Sequence, residues 1–281
     1  MNEFKPIDES GLLVPEHTAS PGINLQAPYP DEKVLGDTSL GPTESMALTV
    51  LSSGETKGGK NGEDGKGSVT NESFINEVFT EVPDGSFAAI SSKPANPEQG
   101  GWPARRADQI ADSLQASTNN FVNCSSFYPG DDGSFKARKT SFAACHFLML
   151  DDLGTKVPIE RLDGLNLSWL IETSPGNYQA GIILAQSITD GPVAVRLLNA
   201  LIEAGMCDAG ATGPLTRWAR LPVGINGKPK YADEHGSPFQ CRLIEWAPNH
   251  RFAPEEIVNR LQLELPPAGR PERVTRSSSA S

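Results

Sequence analysis

The chain has 281 residues, room for one large domain or two small ones with a sizeable core. Its formal net charge is −11, yet residues 1–100 alone carry 16 acidic and 6 basic side chains. The rest, with 19 acidic and 18 basic, is nearly neutral, which excludes a uniformly basic nucleic-acid binder but leaves room for a local cationic patch.

Cys124, Cys145, Cys207 and Cys241 form no CxxC pair. That spacing supports neither a zinc knuckle nor a disulfide framework, and it predicts buried free thiols in a reducing compartment. No signal-peptide pattern and no transmembrane-length apolar run occurs, so a soluble cytoplasmic protein is expected.

Residues 1–70 are rich in Gly, Ser, Pro, Asp and Glu and lack sustained periodicity, which predicts a disordered acidic tail. Within it, 52–68 has a flexible-linker composition, and Met46–Leu51 is a short apolar segment suited to docking on a partner. Order is expected from 71 to 264. Residues 74–82 form an amphipathic piece and 86–90 a first strand. A helix is expected over 104–116, with Pro103 at its first turn and Ile110, Ala111 and Leu114 inward. A second strand covers 123–127, and the loop 128–140 brings Lys136, Arg138 and Lys139 close to the next strand.

That strand is the centre of the chain. Phe147-Leu148-Met149-Leu150 runs straight into Asp151-Asp152, and Leu153-Gly154-Thr155-Lys156 turns away. A continuous apolar run bounded by a turn reads as a strand buried on both faces. Adjacent strand residues point to opposite faces, so both aspartates share a site only if the backbone bulges there. Two charges at the mouth of an apolar strand need solvent or a counter-ion, and a divalent cation serves. A polar turn carrying two aspartates is the competing reading.

Trp169–Thr173 and Tyr178–Leu184 are strand-like, and the Ser174-Pro175-Gly176-Asn177 turn between them implies an antiparallel hairpin. Residues 191–205 predict a helix capped by Asp190 and Gly205, with Val195, Leu198, Leu201 and Ile202 as its buried stripe. The segment 216–231 holds Arg217, Arg220, Lys228 and Lys230 together with Trp218 and Tyr231, a composition suited to a phosphate-gripping loop with rings for stacking. A last strand (241–246), a closing helix (254–263) and a flexible tail or linker (265–281) complete an α+β chain. No P-loop, paired-His zinc motif or G-x-S-x-G elbow occurs, which excludes those chemistries.

The segments FLMLDDLGTK, ETSPGNYQAGIIL and CDAGATGPLTRWARLPVGINGKPKY, followed by RLIEW, resemble in this order the RepB-like primases of plasmids and phages. Those belong to the archaeo-eukaryotic primase and primase-polymerase superfamily. The resemblance covers roughly residues 120–263 and implies a modified RNA-recognition-type sheet, mixed or antiparallel, with packed helices. It implies metal-dependent nucleotidyl transfer that makes short primers on single-stranded DNA, with Mg²⁺ or Mn²⁺ as cofactor and a nucleoside or deoxynucleoside triphosphate as substrate. A replicative helicase in cis or in trans is an implied partner. Asp151 and Asp152 match the family's first acidic motif, and Asp208 is the positional match for its third carboxylate. Many relatives carry a His where Gln179 stands, so this chain departs from the wider superfamily there.

Ser174, Asn177, Gln179, Arg217, Arg220, Asn226, Lys228, Lys230, Arg138 and Lys139 form the expected nucleotide- and DNA-binding set. Each has a plainer reading: Asp208 as a turn cap, Ser174 as a shaper of the hairpin, the arginines and lysines (Lys156 among them) as structural or solvated cations, and Trp218 and Tyr231 as core. At the level of the whole protein the rivals are a non-catalytic DNA-binding replication protein of the same fold, a metal-dependent nuclease using the same carboxylates, and a regulatory adaptor acting through the acidic tail.

Overall fold

The computed structural model describes residues 68–267 apart from 95, 211 and 212. The expected tails, 1–70 with the Met46–Leu51 segment and 265–281, lie outside the described residues except for their inner ends. In chain order the elements are α1 (Asn71–Val78), β1 (Phe87–Lys93), β2 (Arg105–Arg106), α2 (Ala107–Ile110), β3 (Asn119–Phe127), β4 (Phe142–Leu153), β5 (Trp169–Ser174) and β6 (Asn177–Ile188). There follow α3 (Gly191–Glu203), β7 (Trp218–Arg220), β8 (Ile225–Asn226), β9 (Phe239–Gln240), β10 (Arg242–Trp246), β11 (Arg251–Phe252) and α4 (Pro254–Arg260).

One sheet runs in the order β10-β5-β6-β4-β3-β1-β2, with β11 paired to β6 and β7 to β3, and β8–β9 is a separate small ribbon. Every pairing but the parallel β6–β11 is antiparallel. The architecture is the mixed α+β sheet with packed helices expected from the sequence. Period-two alternation along the central strands builds a core on each face. Leu148 and Leu150 of β4 join Ile182 of β6 and Leu197, Leu198 and Leu201 of α3 on one side. Phe147 and Met149 join Trp169 and Ile183 under Phe74, Ile75 and Val78 of α1 on the other. Apart from the buried His146, the central strand is therefore apolar until its last residues, and this brings its carboxylates to the rim.

Trp169 is completely buried because Gly181, opposite it on β6, leaves room. A Cβ at 181 would lie 2.0 Å from the indole.

Several elements differ from expectation. The helix expected over 104–116 is one turn of α2 continued by a 3₁₀ turn, because Arg105 and Arg106 pair with Ile90 and Ala89 as an edge strand. The second strand begins four residues earlier, at Asn119. On α3 the buried stripe is Ala194, Leu197, Leu198 and Leu201, with Val195 and Ile202 only half-buried, so the helix is rotated from the expected face. Asp190 caps it as expected, its Oδ1 accepting from Val193 N. Gly205 follows with φ +70°.

Candidate functional site

The site forms where β4 ends. Leu150 pairs with Ala180 and Leu153 with Tyr178, so β4 takes three steps where β6 takes two. The extra residue is a bulge, and Asp152 absorbs it at φ 58°, a left-handed conformation that aspartate tolerates better than most side chains. This relaxes the alternation and brings both carboxylates to one rim. The following turn is tied back by Lys156 N and Val157 N, each donating to Asp152 O at 3.0 Å. Gly154 (φ +81°) packs against the β5–β6 turn so closely that a Cβ would meet Gly176 O at 2.7 Å.

Asp151 is held by three donors. Its Oδ1 accepts from Gln179 Nε2 at 3.0 Å and from Asp152 N at 3.0 Å, and its Oδ2 pairs with Arg217 Nη2 at 3.0 Å. Asp152 accepts from Asn177 Nδ2 at 3.1 Å and pairs with Lys156 Nζ at 2.6 Å. Partial burial works to raise the Asp152 pKa, but the Lys156 ammonium and the Asn177 amide outweigh it and hold the carboxyl below its usual range. The reciprocal bond to Asp152 raises the Lys156 pKa, so its charge persists.

Asp208 arrives from the far side. The chain after α3 folds back under the buried Cys207, and Asp208 N donates to Asp151 O at 3.4 Å. Its Oδ2 accepts from Gly210 N at 3.2 Å and lies 3.4 Å from Lys156 Nζ. Asp152 and Asp208 thus point oxygens at one shared cation, while Asp151 is turned to Arg217. Hard oxygen donors aimed at a common positive charge fit Mg²⁺ or Mn²⁺. Among the described residues no three His, Cys, Asp or Glu side chains are drawn together as ready-made ligands, so a metal there requires Lys156 or Arg217 to give way.

The binding candidates divide. Asn177 and Gln179 stand at the carboxylates. Gln179 also accepts from Arg220 N at 2.9 Å, so its amide spans β4, β6 and β7. Arg217 is largely buried and directed at Asp151. Arg220 is buried: it donates to Ile225 O (2.6 Å) and Asn226 Oδ1 (2.8 Å), with its guanidinium over the Phe121 ring. Asn226 is buried too, and its Nδ2 reaches Thr173 O at 2.7 Å. Ser174 is buried at the end of β5. Lys228 projects beyond this pinned segment, pairs with Glu98 at 3.1 Å and adds to the positive field on Asp152. Lys230 is exposed, its ammonium over the Tyr231 ring. Arg138 and Lys139 precede β4, at the end opposite the aspartates and roughly 30 Å away along an extended strand.

Sequence reasoning missed two features. The buried Glu172 is satisfied by Gly176 N and Arg242 and is not free for metal. Trp102 and Trp218 stack with centroids 5.8 Å apart, although they lie 116 positions apart in sequence and no local pattern joins them.

The family model for the RepB DNA-primase N-terminal domain matches residues 102–267, more than half of the chain. Among solved structures, the chain is similar to the AEP domain of the cyanophage S-2L primase-polymerase, at 10% identity and TM-score 0.47, over 68% of this chain and 96% of that one. It is similar to the catalytic domain of primase RepB′ in complex with initiator DNA at 16% identity and TM-score 0.45, over 69% and 94%. A further structure of primase RepB′ gives 15% identity and TM-score 0.46 over 68% and 62%. Among curated proteins there is no match.

Proposed function

Because the chain belongs to the RepB DNA-primase N-terminal domain family, we propose that it is a replication primase that makes short primers on single-stranded DNA by metal-dependent nucleotidyl transfer. The observation that carries this reading is the bulge at Asp152, which sets Asp151 and Asp152 on one rim beside Asp208. Joining a nucleotide to a 3′-hydroxyl needs in-line positioning and relief of negative charge more than covalent help. In this proposal Asp152 and Asp208, with Asp151, hold Mg²⁺ or Mn²⁺, which supplies charge neutralisation and a more acidic attacking hydroxyl when bound.

The remaining roles follow from placement. Gln179 and Arg217 orient Asp151, and Asn177 orients Asp152. Lys228 and Lys230 reach the triphosphate from a segment that Arg220 and Asn226 hold rigid. Ser174 shapes the hairpin turn. Arg138 and Lys139 are too distant for the reacting nucleotide but well placed for the backbone of a long template strand.

The test is synthesis without a primer: protein, single-stranded DNA, Mg²⁺ or Mn²⁺ and labelled nucleotides, alongside Asp151→Ala and Asp152→Ala. Short new products from the wild type that vanish in both variants are expected. No synthesis with either metal, with or without added primer, overturns the proposal.

A further inference from the structure

The ammonium of Lys156 stands where a bound cation would stand. Nζ lies 2.6 Å from Asp152 Oδ2 and 3.4 Å from Asp208 Oδ2, so a single positive charge bridges the two converging carboxylates. A divalent ion held by those two oxygens needs them at about 2.0–2.6 Å and fills the same gap. The two cations exclude each other. Resting on the metal-dependent reading above, we propose that Lys156 is the resident counter-ion of this site. It keeps Asp152 and Asp208 facing each other before metal arrives and withdraws when a divalent cation enters.

Three observations support the exchange. First, Asp151 has its own cation in Arg217, so Asp152 and Asp208 share one positive charge between two negative ones. A divalent ion balances both. Second, the lysine can leave without disturbing its surroundings. Its backbone N–H is fixed to Asp152 O at 3.0 Å, yet its side chain is 61% exposed and its four-carbon stem swings freely into solvent. Exposed pairs of this kind are held weakly. Third, without any cation the two carboxylates would repel each other, and the turn after β4 would lose the contact that draws Asp208 toward Asp152. Lys156 is thus a positioning residue, distinct from the groups that touch the reacting atoms.

The experiment uses the full chain and Lys156→Met, which keeps the apolar stem and removes the charge. Mn²⁺ alone is titrated and free Mn²⁺ followed by electron paramagnetic resonance. The variant is expected to bind about tenfold more tightly, as removal of a directly competing charge implies. In the wild type, acetylation of Lys156 by an N-hydroxysuccinimide ester is read by peptide mass spectrometry, with the exposed Lys136 as internal reference. Lys156 is expected to react several-fold faster with saturating Mn²⁺ than in chelator, and Lys136 equally in both. Unchanged Mn²⁺ affinity in the variant overturns the proposal. So does Mn²⁺ binding that leaves the Lys156 acetylation rate unaltered, because the lysine then stays in place. Mn²⁺ binding to neither protein overturns the metal-dependent reading itself, a separate failure.

Discussion

Gln179 donates to Asp151 Oδ1 at 3.0 Å while its own carbonyl accepts the backbone N–H of Arg220 at 2.9 Å. Both ends of the amide are engaged, which fixes its orientation and makes it the link between the acidic rim and β7. Gln179→Glu keeps an acceptor for Arg220 but sets a second carboxylate against Asp151. That variant is expected to lose about 1–3 kcal/mol of stability and most primer synthesis. Gln179→Ala, which removes the amide without adding charge, is expected to lose less of both. Thermal unfolding and primer assays on the two variants check the order, and equal effects would remove the electrostatic link.

Arg220 offers a sharper test, because its sequence context suggests a phosphate clasp and its burial gives it a different task. Its guanidinium ties Ile225 O and Asn226 Oδ1 to β7, and no part of that network faces solvent. Arg220→Ala takes the guanidinium from Ile225 O and leaves Asn226 Oδ1 only the long bond from Lys228 N at 3.4 Å, and is expected to cost about 3–5 kcal/mol in denaturant unfolding. A variant that folds at wild-type stability but loses nucleotide affinity would restore the clasp.

These two residues show how far the sequence could be read. The buried run 147–150, the hairpin around Ser174–Asn177 and the Asp190 cap were legible because each is a local pattern with a local cause. The expected burial of the four thiols is met by Cys124, Cys145 and Cys207, while Cys241 is only partly buried. The rest depends on distant partners. Positive charge reads as surface until Asn226 and the Phe121 ring close around Arg220. The pairing of Arg217 with Asp151 spans 66 positions, and β7 pairs with β3 across nearly a hundred. The bulge that unites the aspartates follows from the β6 register, which the sequence of β4 alone does not set. The helix expected over 104–116 failed for the same reason, since Arg105 and Arg106 found an edge strand to join.

Among the described glycines, Gly181 leaves the least room for an added side chain. It faces the buried Trp169, and an added methyl would overlap the indole at 2.0 Å, a contact neither the packed ring nor the β5–β6 ladder can relieve. Gly181→Ala is expected to lose about 3 kcal/mol or more, seen as a lower denaturation midpoint. Gly181→Ala combined with Trp169→Phe should recover part of that loss, because the smaller ring vacates space. Failure of the pair to recover would place the strain elsewhere.

His146 sets the response to acid. It is buried on β4, its Nε2 2.9 Å from Ser126 Oγ and its ring against Phe79. Burial, helped by the charge of Arg251, pushes its pKa down to about 4 from 6.5. Above pH 6.5 the ring is neutral in both the folded and the unfolded chain and has no effect on the balance. As pH falls through 6.5 the unfolded chain takes up a proton that the folded chain refuses, so stability declines steadily until about pH 4. The full loss from this one ring is roughly 3 kcal/mol. The depressed carboxyl of Asp152 acts in the same direction, but only in the more acidic carboxylate range. His146→Gln keeps a hydrogen-bonding partner for Ser126 and removes the titration. The slope of unfolding free energy between pH 7 and pH 5 is expected to flatten in that variant, measured by urea unfolding at each pH. A slope equal to that of the wild type would assign the acid sensitivity to other groups.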